Sequence, residues 1–212
     1  MLGRPLLSFV VESVRRSREV DAIVVATSND PSDDPIAAFA SDHSVACFRG
    51  DLDNVAGRLL AAAQHDGADA FVRVNGDSPL IDPALIDRGV TLFRRDEFDL
   101  VSNVFPRSFP KGQSVEVIGT ASLAGVMPQT TDDEREHVTR HFYTHADRFR
   151  LGTFQASTPH PELQLSVDTP DDFTLCEDIL RAVGETPWQA GWERCAEVAD
   201  MLLTARAPGA HA

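Results

Sequence analysis

The sequence predicts an α/β protein with a mostly parallel sheet covered by helices on both faces. Two observations carry this. Through the N-terminal half, short apolar runs rich in β-branched residues alternate with segments of helical periodicity, and the connections between them are brief. Of the 212 residues, 42% are hydrophobic and 25% are charged, the balance of a globular chain able to bury a core.

Each element follows from local pattern. Leu6, Leu7, Val10, Val11 and Val14 recur at helical spacing, and Arg15, Arg16 and Arg18 follow where cations suit a helix C-terminus. Residues 22–27 form an apolar, β-branched strand that ends in a turn-rich stretch, and a short helix begins at Pro35. Residues 45–48 read as a strand, 54–65 as a helix and 70–74 as a strand. Pro83 opens the next helix at the first-turn position, where its missing N–H costs nothing. Strands are expected at 100–103, 115–118, 150–154 and 163–167, and helices at 132–147, 170–182 and 192–205. Neither a repeat nor a long linker interrupts the chain. Residues 1–206 are therefore expected to form one domain, with 207–212 a flexible tail.

Charge narrows the function. With 33 acidic residues against 19 basic ones the net charge is −14, which repels nucleic-acid polymers but leaves room for a small anion held by a few donors. Cys47, Cys176 and Cys195 lie far apart without a CxxC pair, so a disulfide framework is not expected and a reducing cytoplasm is. No apolar run reaches membrane-spanning length, so no membrane partner is expected. The N-terminal amphipathic stretch contains Glu12 and reads as a helix rather than a signal peptide.

Two segments suggest chemistry. Residues 73–82 place Gly76 and Asp77 just beyond the end of a buried strand, where open α/β sheets bind ligands. The same pattern also reads as a turn, since Gly-Asp and Ser-Pro are common turn dipeptides. In 166–173, Thr169 fits an N-cap, Pro170 the first helical residue, and Asp171 and Asp172 the helix dipole. Asp168 stands apart from that account. If Asp77 and Asp168 share one sheet edge, the two carboxylates can hold Mg²⁺ against substrate phosphates.

His137, His141 and His145 repeat every four residues but are not expected to form a zinc site, because two turns of one helix cannot bring all three to a single ion and HExxH is absent. A helix face lining a polar cleft is expected instead, with Glu136 and His137 as sugar contacts. No GxSxG, GxGxxG or Walker-type loop occurs.

Taken in order, these residues resemble the cytidylyltransferase family of the spore-coat polysaccharide (SpsF) type and, more distantly, the CMP-Kdo and CMP-acylneuraminate synthetases. Gly3-Arg-Pro-Leu-Leu7 looks like the family's GKPLL. Ile23-Val-Val-Ala-Thr-Ser28 with Asp33-Asp34 looks like its IVVATS…DD, and Phe48-Arg-Gly50 with Asp53, Val55 and Arg58 resembles FRG…DVLDR. Arg73 to Asp82 resembles RxxGDxPLID. Ser102-Asn-Val104, Val115-Glu-Val117, Glu134-Arg-Glu-His-Val-Thr139 and Val167-Asp-Thr-Pro-Asp-Asp-Phe173 follow in the family's order.

The resemblance implies a Rossmann-like nucleotide-diphospho-sugar transferase fold. It also implies transfer from CTP, or another nucleoside triphosphate, to a sugar or sugar acid with release of pyrophosphate, in polysaccharide assembly. Asp77 and Asp168 would then be the catalytic and Mg²⁺-holding pair. Arg49, Arg58, Arg73 and Gly76 would serve the nucleotide, and Asn103, Glu116, Glu136 and His137 the sugar; a homodimer is reasonable.

Two features depart from the family. Its opening strand and phosphate loop, resembling QARMGSSRLPGK, have no counterpart before Leu6, so the expectation is that Met1 is an internal methionine of a longer product. Lys111-Gly-Gln-Ser114 stands where the family reads DGLD, so a neutral serine replaces an acidic group. Two other readings remain: a nucleotide- or sugar-binding module that has lost the phosphate loop, and a nucleotide-sugar-dependent glycosyltransferase.

Overall fold

A computed structural model describes residues 1–206; the tail expected at 207–212 lies outside the described residues. Helix α1 (Leu6–Val14) leads into strand β1 (Val24–Ser28), helix α2 (Asp34–Asp42) and strand β2 (Ala46–Gly50). Helix α3 (Val55–His65) begins where the Asn54 side chain caps Gly57 N–H at 2.9 Å, and strand β3 (Ala70–Arg73) follows. Helix α4 (Pro83–Arg95) is capped by Asp82 and has Pro83 in its first turn. Strand β4 (Leu100–Ser102), strand β5 (Glu116–Gly119) and helix α5 (Thr120–Val126) come next. The short helices α6 (Asp132–Glu136) and α7 (Arg140–Thr144) precede strand β6 (Leu151–Thr153). Helices α8 (Pro170–Val183), α9 (Pro187–Ala190) and α10 (Trp192–Arg206) complete the described chain.

β1 and β2 pair in parallel, and a second sheet runs β3-β5-β4-β6. In that sheet β5 is antiparallel to both neighbours while β4 and β6 are parallel, so β5 is the reversed strand among three that run one way. Alternation along the strands fills two cores. Val101 and Val117 face a cluster with Phe9 of α1, Ile86 of α4, Ile179 of α8 and Ala199 of α10. Leu100 and Ile118 face Ala56 of α3, Leu123 of α5 and Phe142 of α7. Helices thus cover both faces of this sheet, as the alternating pattern requires.

Two local expectations are corrected. Residues 163–167 do not form a strand. They make one bridge, between Lys111 and Gln164, through bonds of 2.9 Å from Lys111 N–H to Leu163 O and from Leu165 N–H to Lys111 O. The partner segment cannot extend the pairing: Pro110 lacks an N–H, and Gly112 turns away at φ +89. A Cβ on Gly112 would lie 2.5 Å from the Leu165 carbonyl carbon, so only glycine fits that approach.

The single helix expected at 132–147 is broken. α6 stops at His137, and Val138 and Thr139 separate it from α7. Val138 is buried in the core under β4 and β5, while the Thr139 hydroxyl is drawn to Glu116 at 2.8 Å. Tertiary contacts therefore override the helical period. α5 was not expected, because its small residues Thr120, Ala121, Ser122, Ala124 and Gly125 leave little apolar periodicity to read.

Candidate active site at the carboxyl edge of the sheet

The strand register sets a row of polar side chains across one edge. Arg73 ends β3 and pairs with Glu116, the first residue of reversed β5; Glu116 pairs with Ser102, which ends β4, and Ser102 pairs with Thr153 of β6. This is the carboxyl edge of β3, β4 and β6, where open α/β sheets place their ligands.

Glu116 is its centre. It is 3% exposed, yet both oxygens are engaged. Oε2 accepts from Arg73 Nη1 at 2.6 Å, and Oε1 accepts from Thr139 Oγ1 at 2.8 Å and from Tyr143 Oη at 2.7 Å. Tyr143 Oη is also 2.7 Å from Ser102 Oγ, from which it can accept while donating to the carboxylate. Burial, followed by the Glu116 charge, raises the Tyr143 pKa well above its ordinary value, so the phenol remains protonated.

Arg107 was not singled out from the sequence and belongs to this group. Its Nη2 donates to Ser114 Oγ at 3.1 Å, while its buried Nη1 has no hydrogen-bond partner among the described residues. Burial lowers its pKa, and Glu116 and Tyr143 oppose that shift. No spacing in the sequence marks Arg107. Only the folding of the 104–114 loop over β5 brings it there.

The two carboxylates singled out from the sequence lie on adjacent turns. Val167 N–H donates to Asp77 O at 2.9 Å, so the turn after β3 and the approach to α8 run side by side. Asp77 is partly exposed and its Oδ1 accepts from Ser78 at 2.8 Å; Asp168 is exposed and its Oδ2 accepts from Gln164 at 2.8 Å. Asp168 lines an open groove of about 430 Å³ together with Val167, Thr169, Pro170, Phe173 and Thr174. Behind Asp168, Thr169 and Asp172 form a reciprocal cap for α8. Asp172 is thus structural and Asp168 remains available. Gly76 is exposed, and an added Cβ there would meet only Leu7, at 3.6 Å.

The remaining expected contacts differ in how free they are. Arg49 is committed to the loop after β1, donating to Ser28 O at 2.8 Å, Asp30 O at 2.9 Å and Asp34 Oδ1 at 2.7 Å. Arg58 donates to the carbonyls of Asp51 and Leu52. Asn103 is buried, donating to Gln113 O at 2.7 Å and accepting from Val115 N–H at 2.8 Å, so it braces the strand ends with its whole amide. Glu116 is likewise committed to protein partners. Glu136 and His137 are exposed on the broken helical segment, with His137 Nε2 3.8 Å from Asp133. Arg73, Glu116, Tyr143 and Arg107 converge, as do the turns of Asp77 and Asp168; Arg49 bonds to the loop after β1 and Arg58 to the loop after β2.

An α/β sheet that carries Arg73, Arg107 and the turns of Asp77 and Asp168 at its carboxyl edge has the arrangement of a ligand-binding α/β protein. The model of a family described as Cytidylyltransferase matches residues 1–185, and the chain belongs to that family. It is a nucleotidyltransferase enzyme by that membership. The spore coat polysaccharide biosynthesis protein SpsF of Bacillus subtilis (strain 168) is 27% identical over 191 residues, covering 86% of this chain and 78% of that protein. A solved cytidylyltransferase from Leptospira borgpetersenii aligns with a TM-score of 0.89 at 23% identity, over 95% of this chain and 85% of its own. A CMP:2-keto-3-deoxy-manno-octonic acid synthetase solved in complex with CTP aligns with a TM-score of 0.60 at 15% identity, over 87% and 89%. These two likenesses establish the nucleotide-sugar transferase fold expected from the sequence. Among the described residues, no helix is long and apolar enough to cross a membrane.

Proposed function

We propose that this chain transfers a cytidylyl group from CTP to a sugar acid and releases pyrophosphate, supplying an activated sugar for surface polysaccharide. The observation that carries this reading is that Asp77 and Asp168 lie on adjacent turns, the first following β3, whose last residue Arg73 belongs to the cluster around Glu116 at the carboxyl edge. Support also comes from the CTP held by a synthetase of the same fold and from the polysaccharide role in the name of the Bacillus relative.

The sugar hydroxyl oxygen forms a bond to the α-phosphorus of CTP and loses its proton, while the bond from that phosphorus to the bridging oxygen breaks. Asp77 and Asp168 offer hard oxygen donors with unengaged lone pairs, a set that fits Mg²⁺ completed by phosphate oxygens and water. When bound there, Mg²⁺ neutralises charge on the phosphates. The chain's own residues position the reactants. Arg107 directs its unpartnered Nη1 to the sugar carboxylate, and Glu116 holds Arg73 and Tyr143 in place at the cleft floor.

The test is pyrophosphate release with Mg²⁺, each nucleoside triphosphate and a panel of sugar acids, on this chain and on an upstream-extended form. CTP-dependent release that falls by on the order of 10²–10³-fold in Asp77→Ala supports the proposal. CTP binding without turnover in either form would favour a binding module. Nucleoside diphosphate released from a nucleotide sugar would favour a glycosyltransferase.

A further inference from the structure

The break between α6 and α7 creates a second cluster, separate from the groups assigned to cytidylyl transfer. On an unbroken helix Glu134 and His141 would stand about 10.5 Å apart along the axis. Here one oxygen of Glu134 and one nitrogen each of His141 and His145 lie within 4.8 Å of one another. His137, the first histidine of the repeat, stays outside, exposed beside Asp133.

The three groups are prepared in different ways. Glu134 is held from behind, its Oε2 accepting from the Thr131 N–H at 2.9 Å and the Thr131 hydroxyl at 3.2 Å. Its other oxygen lies 3.1 Å from His141 Nδ1. An Nδ1–H donated to that carboxylate leaves the lone pair of the imidazole on Nε2. That Nε2 is buried on a ring only 3% exposed and has no hydrogen-bond partner among the described residues. A histidine buried purely for packing has both nitrogens satisfied; this one has a lone pair without a donor. The His145 ring is 4.6 Å from it, centroid to centroid, and is only partly buried, so it has room to turn.

We propose that Glu134, His141 and His145 form a binding site for one divalent transition-metal ion of the Zn²⁺ class. Nitrogens of His141 and His145 are the ligands, Glu134 fixes the His141 tautomer and supplies negative charge, and water completes the coordination. Carboxylate-supported imidazole pairs are a recurrent arrangement for such ions, and imidazole donors favour Zn²⁺ over Mg²⁺. The ion clamps α6 to α7, the segment from which Thr139 and Tyr143 reach Glu116.

The experiment uses tag-free, metal-stripped full chain titrated with Co²⁺ and then Zn²⁺, read by visible d–d absorption and by thermal melting. One equivalent of Co²⁺ should give d–d bands that Zn²⁺ abolishes, and Zn²⁺ should raise the melting midpoint. Both effects should vanish in His145→Ala, or in His145→Gln if the alanine variant fails to fold. Glu134→Gln keeps an acceptor for Thr131 and should weaken binding by about 10- to 100-fold. Absence of bands in the wild type, bands that persist without His145, or unchanged affinity in Glu134→Gln would overturn the proposal.

Discussion

Arg73 Nη1 donates to Glu116 Oε2 at 2.6 Å across directly paired positions of β3 and β5, with the Glu116 side chain buried and the Arg73 side chain 27% exposed. The pair ties the last residue of one strand to the first of its antiparallel neighbour. Thr139 and Tyr143 then attach the α6–α7 segment to the same carboxylate. Fold and site therefore share one charged centre.

Removing that centre should be costly to stability. Glu116→Ala leaves Arg73, Thr139 and Tyr143 without their acceptor, and a loss of about 3 kcal/mol is expected, at the low end for a broken buried pair because Arg73 keeps contact with water. Urea unfolding measures it. A loss below about 1 kcal/mol would mean that the pair contributes no more than a surface salt bridge.

Arg107 should control sugar-acid affinity rather than nucleotide affinity. Arg107→Gln is expected to raise KM for the sugar acid by about 10- to 100-fold, the value of one charge-assisted hydrogen bond, with KM for CTP unchanged. Ser114→Asp, which gives Arg107 an internal anion, should act in the same direction. Equal effects on both substrates would argue against this division of labour.

Asp33 should contribute to stability in acid. The Ser28 hydroxyl, then the Thr27 hydroxyl and the Ser28 N–H, lower its pKa from 3.8 to about 2. Because the folded value is depressed, the contribution is complete above pH 3.8 and disappears as pH falls towards about 2. Asp33→Asn should therefore flatten the stability profile across that window, as measured by urea midpoints at stepped pH.

The thiols should separate cleanly by reactivity. Cys176 and Cys195 are buried, which pushes each up to about 12, whereas Cys47 is exposed. At pH 8 a thiol-specific reagent should label Cys47 in the folded protein and all three cysteines once it is unfolded. Labelling of Cys176 before unfolding would reveal opening of the α8–α10 packing.

Much of the fold was legible because its signals are local. The Thr169–Pro170–Asp172 cap, Pro83 at the start of α4 and the β-branched run of β1 each specify their element without distant help. A shared sheet edge for Asp77 and Asp168 was legible only as a condition, and it is the Val167 N–H bond to Asp77 O that sets their turns side by side. The strand expected at 163–167 failed for the opposite reason: its apolar residues are buried, but Pro110 and Gly112 deny them a partner of matching length.

By itself the sequence determined the family and most of the order of helices and strands, since periodicity, caps and motif order are carried by neighbouring residues. Tertiary structure alone decided that Asn103 and Glu116 are braces, that Arg107 stands beside them, and that 132–147 breaks so that Glu134 meets His141. Those outcomes depend on which polar groups compete for the same partners once water is excluded, and that competition exists only between residues distant in the chain.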